Sequence, residues 1–363
     1  MSRTVIHVLS DGFRAPNARA LVYPLIVHRR ALLERGLDVR VFAKAEGRFA
    51  DCDVLIVDSK HFHGPERGQL DFVRESLERF APLCNALAWY DSTDSAGWVV
   101  GSLLPLVRRY FKNQLLRDRT AYLRPMYARR AYTDFYHRMA GVTDDRPEDA
   151  PQVDAPELLD KLSPGWNSGL ADYSRFGPTR MALYGRVPFG PLLGRPHRAA
   201  RADSPRPASL SCRMGISYER ATVAYQRRML RERLGDRIPS DKLGRGGYFA
   251  ELQTSRAVLS PFGLGEITLK DFEVFLTGSL LVKPDMSHLE TWPDLFRDEE
   301  TMLSVRWDME DLDAVLDRIE ADPATAQKIA AQGQDNYMRH VADDEAATLF
   351  AAHFANMVSE AAG

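Results

Sequence analysis

The sequence predicts an α/β protein with two Rossmann-like domains whose parallel sheets face a central cleft. Three observations support this fold class. Short apolar runs alternate with helical stretches in the first 90 residues, the alternation resumes near residue 208, and a Pro- and Gly-rich segment separates the two regions. Strands that alternate with helices over short links are typical of parallel sheets covered by helices. The length of 363 residues is enough for two domains.

The first region begins with short β-branched runs that end in polar loops, as buried strands do. Strands are predicted at 5–9, 37–43, 53–58 and 86–90, and helices at about 18–34 and 70–80. Residues 101–140 break this rhythm with many arginines and tyrosines. We expect them to form a basic helical insertion.

The second region repeats the alternation. Strands are predicted at 208–212, 257–260 and 280–283, and helices at about 218–234, 248–255, 268–277, 308–320, from 323 onward, and 343–360. The pair Asp322-Pro323 supplies an N-cap and a first-turn proline. We therefore predict an N-terminal domain over 1–195, a C-terminal domain over 196–342, and a final helix in 343–363 that packs back toward the N-terminal domain.

The composition is that of an ordinary globular protein, with 45% hydrophobic and 27% charged residues and a formal net charge of -2. This balance gives no indication of a nucleic-acid partner. Cys52, Cys84 and Cys212 are widely spaced and are expected to be reduced thiols. No stretch approaches the roughly 20 apolar residues of a membrane span, and the N-terminus lacks a signal-peptide pattern. We expect a cytoplasmic protein, either free or in peripheral contact with the inner membrane face.

The most informative segment runs from Leu259 to Glu273, where a strand leads through a glycine-containing loop into a helix. Glycines let the backbone approach a ligand closely, and a helix N-terminus presents free N–H groups with partial positive charge. Such a turn suits a diphosphate. The residues expected to surround it are Gly263, Gly265, Glu266, Ile267 and Thr268.

Three charged residues share one face of this helix. Glu266, Lys270 and Glu273 are four and three positions apart. The two glutamates stand roughly 10 Å apart along the helix axis, a span that suits one of them for a sugar and the other for ribose hydroxyls. A solvated Glu-Lys-Glu ladder is the alternative that periodicity leaves open.

Residues 262–292 resemble the donor-binding domain of the two-Rossmann (GT-B) glycosyltransferases, in particular the group-1 and spore-coat-like branch of surface-polysaccharide clusters. The run that carries the likeness is Phe272-Glu273-Val274-Phe275-Leu276-Thr277-Gly278-Ser279-Leu280-Leu281-Val282-Lys283-Pro284. The likeness covers about 208–340 and is only architectural over 1–140. It implies a metal-independent glycosyltransferase without a bound cofactor. Such an enzyme moves a sugar from a nucleotide-sugar donor to a glycan or lipid-linked acceptor of a surface polysaccharide, such as capsule or lipopolysaccharide.

The resemblance also implies roles for individual residues. Glu273, followed by Thr277-Gly278, stands where the superfamily has the glutamate that holds the ribose. Glu266 would contact the sugar or the phosphates, but six residues separate it from Glu273 where the common pattern has seven, so stereochemistry stays open. Arg213 and Lys242 would bind the diphosphate and stabilise it as it departs. For both cations, an ordinary surface position is the alternative.

A catalytic base or acceptor ligand is expected where strands of the N-terminal domain end, facing the cleft. The candidates are Asp11, His61, His63, Asp91 and Asp94. We select Asp91, together with Glu266, as catalytic because Asp91 directly follows an apolar strand and begins a loop of small polar residues. A helix cap is the alternative for Asp91. No metal site is predicted, because His61 and His63 lack a nearby carboxylate pair.

Several alternatives remain at this stage. The stretch 107–130 suits anionic lipid headgroups or an acidic glycan acceptor, and a solvated helical face is its alternative. A nucleotide-sugar epimerase of the same fold and a non-catalytic glycan-binding or coat protein are rival functions. A dehydrogenase is disfavoured, because residues 9–14, Leu-Ser-Asp-Gly-Phe-Arg, lack the three-glycine dinucleotide fingerprint.

Overall fold

The computed structural model describes residues 3–62, 69–145, 147, 153–235, 239 and 243–363. In this part of the chain, two parallel sheets and a short antiparallel ribbon form the β-structure. Helices cover the sheets, so the architecture is α/β. The predicted fold class, two Rossmann-like sheets that face a cleft, is confirmed.

The first sheet contains strands from the N-terminal half, and all its neighbouring pairs are parallel. The strands of this half are β1 Thr4–Leu9, β2 Leu37–Phe42, β3 Val54–Asp58, β4 Ala86–Asp91, β5 Arg109–Lys112, β6 Gln114–Leu116 and β7 Leu162–Pro164. The sheet order is β2-β1-β3-β4-β5-β7, with β6 outside it. Every residue of β3 and β4 is buried, as expected for central strands covered on both faces.

The helices of the N-terminal half differ from the prediction in two places. They are α1 Pro16–Val27, α2 Arg29–Glu34, α3 Leu70–Phe80, α4 Ala131–Ala140 and α5 Gly177–Tyr184. The helix predicted over 18–34 is divided at His28, whose φ of -102° and ψ of 15° are not those of an α-helix. The region 101–140 is not a helical insertion, because it supplies β5 to the sheet and is α-helical only over its last ten residues.

The second sheet has the order β12-β10-β9-β8 and is also parallel. Strands of this half are β8 Ala208–Ser211, β9 Ser255–Leu259, β10 Leu280–Pro284, β11 Leu289–Thr291 and β12 Leu303–Val305. The helices are α6 Ala221–Leu234, α7 Arg245–Thr254, α8 Leu269–Thr277, α9 Leu312–Ala321, α10 Pro323–Val341 and α11 Ala346–Ala362. The predicted N-cap at Asp322 accepts a hydrogen bond from Thr325 N over 3.0 Å.

Strand pairing and side-chain packing join the two halves, in addition to the covalent chain. β6 pairs antiparallel with β11, which brings Gln114 opposite Thr291. Phe272 of α8 stacks on Tyr173, with ring centroids 5.2 Å apart. One hydrophobic core therefore runs through both halves. The boundaries near 195 and 342 stay predictions.

Helix α11 lies against the first sheet. Its Phe350 packs on Trp166 and His28, with ring centroids 5.3 and 5.5 Å apart. Arg109 of β5 donates to the carbonyl oxygen of Glu360 near the end of α11. Among the described helices, none is long and apolar enough to cross a bilayer.

Candidate active site

A cleft of about 700 Å³ lies between the two halves. Its walls come from residues that follow the carboxyl ends of strands in both sheets. Loops after parallel strands converge at one edge of a sheet, which is where α/β proteins bind ligands. The N-terminal wall includes Asn17, Asp94, Asn113, Gln114 and Asn167, and the C-terminal wall includes Arg213, Arg227, Gly263, Gly265, Ile267, Thr268 and Lys270.

The C-terminal wall carries cations in different surroundings. Arg213 is only 15% exposed and is held by the carboxylate of Glu251, whose oxygens lie 2.7–3.0 Å from its guanidinium nitrogens. Arg227 donates to the carbonyl oxygens of Phe262 and Gly215, and so holds the loops after β9 and β8. The surface position allowed for Arg213 by the sequence is therefore wrong.

Lys270 differs from both arginines. Its ammonium donates to the carbonyl oxygen of Arg213 and forms no ion pair with any carboxylate in the described part of the chain. Burial lowers the pKa of Lys270. A lysine that lines a cleft without a carboxylate partner is available for an anionic ligand.

The N-terminus of α8 is capped in part from within, by a box that involves the N–H groups of Thr268 and Asp271 and not those of Leu269 and Lys270. Thr268 N donates to Asp271 Oδ2 over 2.8 Å, and the two residues form a capping box. Asp271 also pairs with Lys283, whose Nζ lies 3.0 Å away, and both side chains are fully buried. Because Lys283 balances the charge of Asp271, the cap leaves no net negative charge at the helix start.

Both glycines of the loop line the cleft, and each also has a structural role within the protein. A Cβ at Gly265 would lie 2.0 Å from the carbonyl oxygen of Asp94, so this glycine allows contact between the two halves. Gly263 N donates to Gly265 O over 2.9 Å and keeps the loop tight. Close approach of the loop to Asp94 is thus visible in the structure, whereas approach to a ligand stays a prediction.

Glu266 lies behind the cleft and does not line it. Its side chain is fully buried, and its Oε2 accepts hydrogen bonds from Ala96 N at 3.0 Å and Gln114 Nε2 at 3.1 Å. Its Oε1 has no partner among the described residues. Burial raises the pKa of Glu266. The solvated ladder is therefore wrong for this residue, and its catalytic role stays a prediction.

Glu273 is also buried, with 6% of its surface exposed. Its Oε1 lies 3.2 Å from an Arg245 nitrogen, and the phenol of Tyr248, which lines the cleft, faces it. Burial raises the pKa of Glu273, and the charge of Arg245 opposes this rise. Glu273 therefore lies behind Tyr248, which lines the cleft, and does not line the cleft itself.

Asp91 follows β4 as predicted but forms an internal ion pair. Its Oδ2 lies 2.8 Å from Lys112 Nζ and accepts a hydrogen bond from the Tyr110 hydroxyl. Both charged side chains are almost completely buried. Burial alone would raise the pKa of Asp91, but the Lys112 ammonium holds it below its usual value. Asp91 does not line the cleft, whereas Asp94 does.

Amide side chains of the N-terminal wall were missed by the sequence analysis. Asn113 follows β5, a strand hidden by the helical interpretation of 101–140, and Asn167 follows β7. A polar residue directly after a strand is the signal that marks such positions. Strands β5 and β7 are not among the four strands that the sequence predicts in this half, so the signal did not point to Asn113 and Asn167. Lys242 and His63 lie outside the described residues. Within the described ranges, no three His, Cys, Asp or Glu side chains are grouped to hold a metal ion.

Comparisons with known proteins give matches to solved structures only. A scan against protein-family models finds no match, and a search of curated proteins finds no significant match. The chain is similar to a glycosyltransferase from Rickettsia africae ESF-5, with 8% identity, a TM-score of 0.46, and 99% and 98% of the two chains covered. It is similar to Anabaena Alr3699/HepE in complex with UDP-glucose, with 10% identity, a TM-score of 0.45, and 98% and 100% covered.

A third similar structure is an alpha-glucosyltransferase in complex with UDP-glucose and DNA containing an abasic site. Its identity is 10%, its TM-score is 0.43, and 99% of this chain and 100% of that chain are covered. Similarities at this level do not assign a function.

Proposed function

We propose that the protein is a glycosyltransferase that uses a nucleotide-sugar donor. The observation that carries this proposal is the chemical contrast between the two walls of the cleft. Arg213 and Lys270 line the C-terminal wall, while Asn17, Asn113 and Asn167 line the N-terminal wall. Cations bind a diphosphate, and amides both donate to and accept from sugar hydroxyls. A volume of about 700 Å³ is in the range of small-molecule sites.

Lys270 and Arg213 would stabilise the negative charge that develops on the diphosphate as the bond to the sugar breaks. This role needs fixed cations at the leaving group, and we propose that the reaction proceeds without a metal ion. Glu273 would bind the ribose hydroxyls, as the resemblance implies. To do so, its carboxylate would give up its contact with Arg245. Lys270 is the residue chosen to test this arrangement, because its substitution leaves no carboxylate unpaired in the described part of the chain.

For the proton of the acceptor hydroxyl, we propose Asp94 in place of Asp91. The Asp94 side chain lines the cleft, and one of its oxygens accepts a hydrogen bond from Asn17 over 2.7 Å. That contact orients the carboxylate and leaves its other oxygen for the acceptor. A general base must reach the proton that it removes, and Asp91 is enclosed with Lys112.

The acceptor is proposed to be a glycan or a lipid-linked sugar of a surface polysaccharide, made in the cytoplasm. This part of the proposal follows from the sequence resemblance over 208–340. A nucleic-acid acceptor is not proposed, since the net charge of -2 provides no excess of cations for a phosphate backbone. An oligonucleotide belongs among the acceptors tested, because one similar structure contains DNA.

The first experiment is a thermal-shift screen with UDP, GDP, CMP, dTDP and ADP on the wild type and on Lys270→Met and Glu273→Ala. Lys328→Met is the matched control, because Lys328 is exposed on α10, away from the cleft lining. We expect one nucleoside diphosphate to raise the Tm of the wild type and of Lys328→Met. The shift should be lost or strongly reduced in Lys270→Met and Glu273→Ala.

The screen tests the donor site, and assays of donor turnover and product formation separate the rival functions. Equal shifts in wild type and Lys270→Met, or no shift with any nucleotide, would contradict the donor site. Turnover of the donor without an acceptor would favour an epimerase. A glycan-binding protein would bind glycans without forming product from any donor and acceptor pair.

A further inference from the structure

A cationic segment borders the cleft on the N-terminal side. The thirty residues 173–202 contain no Asp or Glu, and arginine stands at positions 175, 180, 186, 195, 198 and 201. In a chain with balanced charges overall, this is a local excess of one sign in the sequence. In the structure, three of these arginines pair with carboxylates from outside the segment: Arg180 with Asp172, Arg198 with Asp335 and Arg201 with Asp203. Helix α5 and the turns after it form the middle of the segment.

The two faces of α5 differ. Pro178 and Met181 face inward and line the cleft. Phe176, Leu183 and Val187 are spaced by seven and four positions, which places them on one helical stripe, and they are 61%, 46% and 56% exposed. Val187 N donates to Leu183 O over 2.9 Å, so a turn after the end of α5 at Tyr184 brings Val187 next to the last residues of the helix.

Phe189 adds a fourth large apolar side chain with 59% of its surface exposed. Single exposed apolar residues are ordinary on protein surfaces, but four large aromatic and branched side chains exposed between residues 176 and 189 indicate an interaction surface. We call Phe176, Leu183, Val187 and Phe189 the α5 stripe.

Two cations flank the α5 stripe and are available to a partner. Arg175 and Arg186 are exposed, and neither pairs with a carboxylate in the described part of the chain. The Arg175 guanidinium lies over the Phe176 ring, 5.2 Å from its centroid. Apolar side chains beside unpaired arginines complement a surface with negative headgroups above an apolar interior.

We propose that the α5 stripe docks the protein on an anionic phospholipid bilayer. The apolar side chains would enter the acyl boundary, and Arg175 and Arg186 would bind headgroup phosphates. The inner face of α5 lines the cleft, so docking places the cleft next to the membrane surface. A lipid-linked acceptor would then enter the cleft directly. This last consequence rests on the proposed function, whereas the docking does not.

The docking surface differs from the stretch 107–130 that the sequence suggested. Cations of that stretch are engaged within the protein: Lys112 with Asp91, Arg109 with backbone carbonyl oxygens, and Arg119 with Glu290. The stretch also contains strands β5 and β6 and is not one helical face. These three basic residues are therefore not available to a membrane, whereas Arg108 and Arg124 of the stretch are exposed.

Flotation with lipid vesicles tests the proposal. We expect the wild type to bind vesicles of phosphatidylcholine with phosphatidylglycerol and to bind pure phosphatidylcholine weakly, with binding reduced by salt. The double variant Val187→Ser/Phe189→Ser should lower the partition coefficient roughly tenfold or more, because it removes two of the four exposed apolar side chains of the α5 stripe. Arg175→Gln/Arg186→Gln should weaken binding to the anionic vesicles alone.

Two control variants are matched to these changes. Phe72→Ser removes an aromatic side chain that is 57% exposed on α3, and Arg108→Gln removes an exposed arginine from the stretch 107–130. Both should bind vesicles as the wild type does. All substituted side chains are exposed, and an unchanged Tm would show that each variant is folded.

Three results would overturn the proposal: no binding of the wild type to anionic vesicles, wild-type binding by both double variants, or loss of binding in Arg108→Gln. A dimer in sedimentation that Val187→Ser/Phe189→Ser dissociates, without vesicle binding, would show that a second copy covers the α5 stripe. Nucleotide binding by the same variants separates this outcome from failure of the proposed function, since the α5 stripe does not contact Lys270.

Discussion

The Glu266 carboxylate of the C-terminal half accepts a hydrogen bond from the Gln114 amide of the N-terminal half over 3.1 Å. Ala96 N donates to the same oxygen, while Oε1 has no partner among the described residues. A buried carboxylate thus bridges the two halves without an ion pair. This contact makes the junction sensitive to the protonation of Glu266.

The stability of the protein should depend on pH through Glu266. Burial raises the pKa of Glu266 in the folded state. The folded protein then retains this proton at pH values where the unfolded chain has lost it, so Glu266 lowers stability as the pH rises above about 4.3. Glu266→Gln keeps an acceptor oxygen and cannot ionise. We expect its Tm, relative to wild type, to increase between pH 4 and pH 8.

The control for this titration is Glu320→Gln, because Glu320 is exposed on α9. Its Tm difference from wild type should stay constant over the same range. A constant difference for Glu266→Gln as well would show that Glu266 ionises alike in the folded and unfolded states.

Gly265 should not tolerate even the smallest side chain. In Gly265→Ala the new Cβ would meet the backbone of Asp94 at 2.0 Å, and a backbone atom cannot move aside as a flexible side chain does. We expect a loss of about 1–3 kcal/mol in the free energy of unfolding, measured with urea. Gly247→Ala, on α7 with no atom within 4 Å of its Cβ, should be neutral or slightly stabilising. Equal stability of the two variants would contradict the close approach of the halves.

Lys283 should contribute to the stability of the fold because its ammonium balances the buried charge of Asp271. Lys283→Met leaves the Asp271 carboxylate buried without its cation, and removing one partner of a buried pair costs about 3–5 kcal/mol. The double variant Asp271→Asn/Lys283→Met removes both charges and should recover much of this loss. Urea unfolding of the single and double variants measures the difference. A double variant as unstable as the sum of its single variants would argue against a direct pair.

Substitutions of Asp91, at the end of β4, and of Asp94, shortly after it, should have different effects: the first on stability and the second on sugar transfer. Asp91→Asn leaves the Lys112 ammonium buried without a carboxylate and should lower the free energy of unfolding by about 3–5 kcal/mol. Asp94→Asn should change stability by less than about 0.5 kcal/mol and abolish most sugar transfer, with nucleotide binding intact. Thermal unfolding, nucleotide binding and product formation are measured on both. Normal transfer by Asp94→Asn would exclude it as the base.

Much of the fold was predictable from local signals. β-branched runs located β1 to β4, β8, β9 and β10, and Gly278 marked the end of α8, where its φ of 69° suits glycine. These features depend on neighbours within a few residues. The loop between β9 and α8 was likewise located at the cleft from its sequence.

The remaining features depend on residues far apart in the chain. The sequence Arg109-Tyr110-Phe111-Lys112 forms a sheet strand because Asp91, 21 residues earlier, neutralises Lys112 in the core. Its charges instead suggested a solvated helix. Glu266 is enclosed by Ala96 and Gln114 of the other half, so its burial has no local signal. A charged side chain can be predicted to be exposed only if no oppositely charged residue from a distant part of the chain pairs with it in the folded protein.

The ribbon formed by β6 and β11 has a consequence for how the chain can be divided. Each half contributes one of the two strands, so neither half alone satisfies the backbone groups along that edge. Fragments separated in the segment between residues 185 and 208 would each present an open strand edge and an uncovered apolar face. We therefore expect the two fragments to complement one another when mixed, and the intact chain to unfold in one cooperative transition.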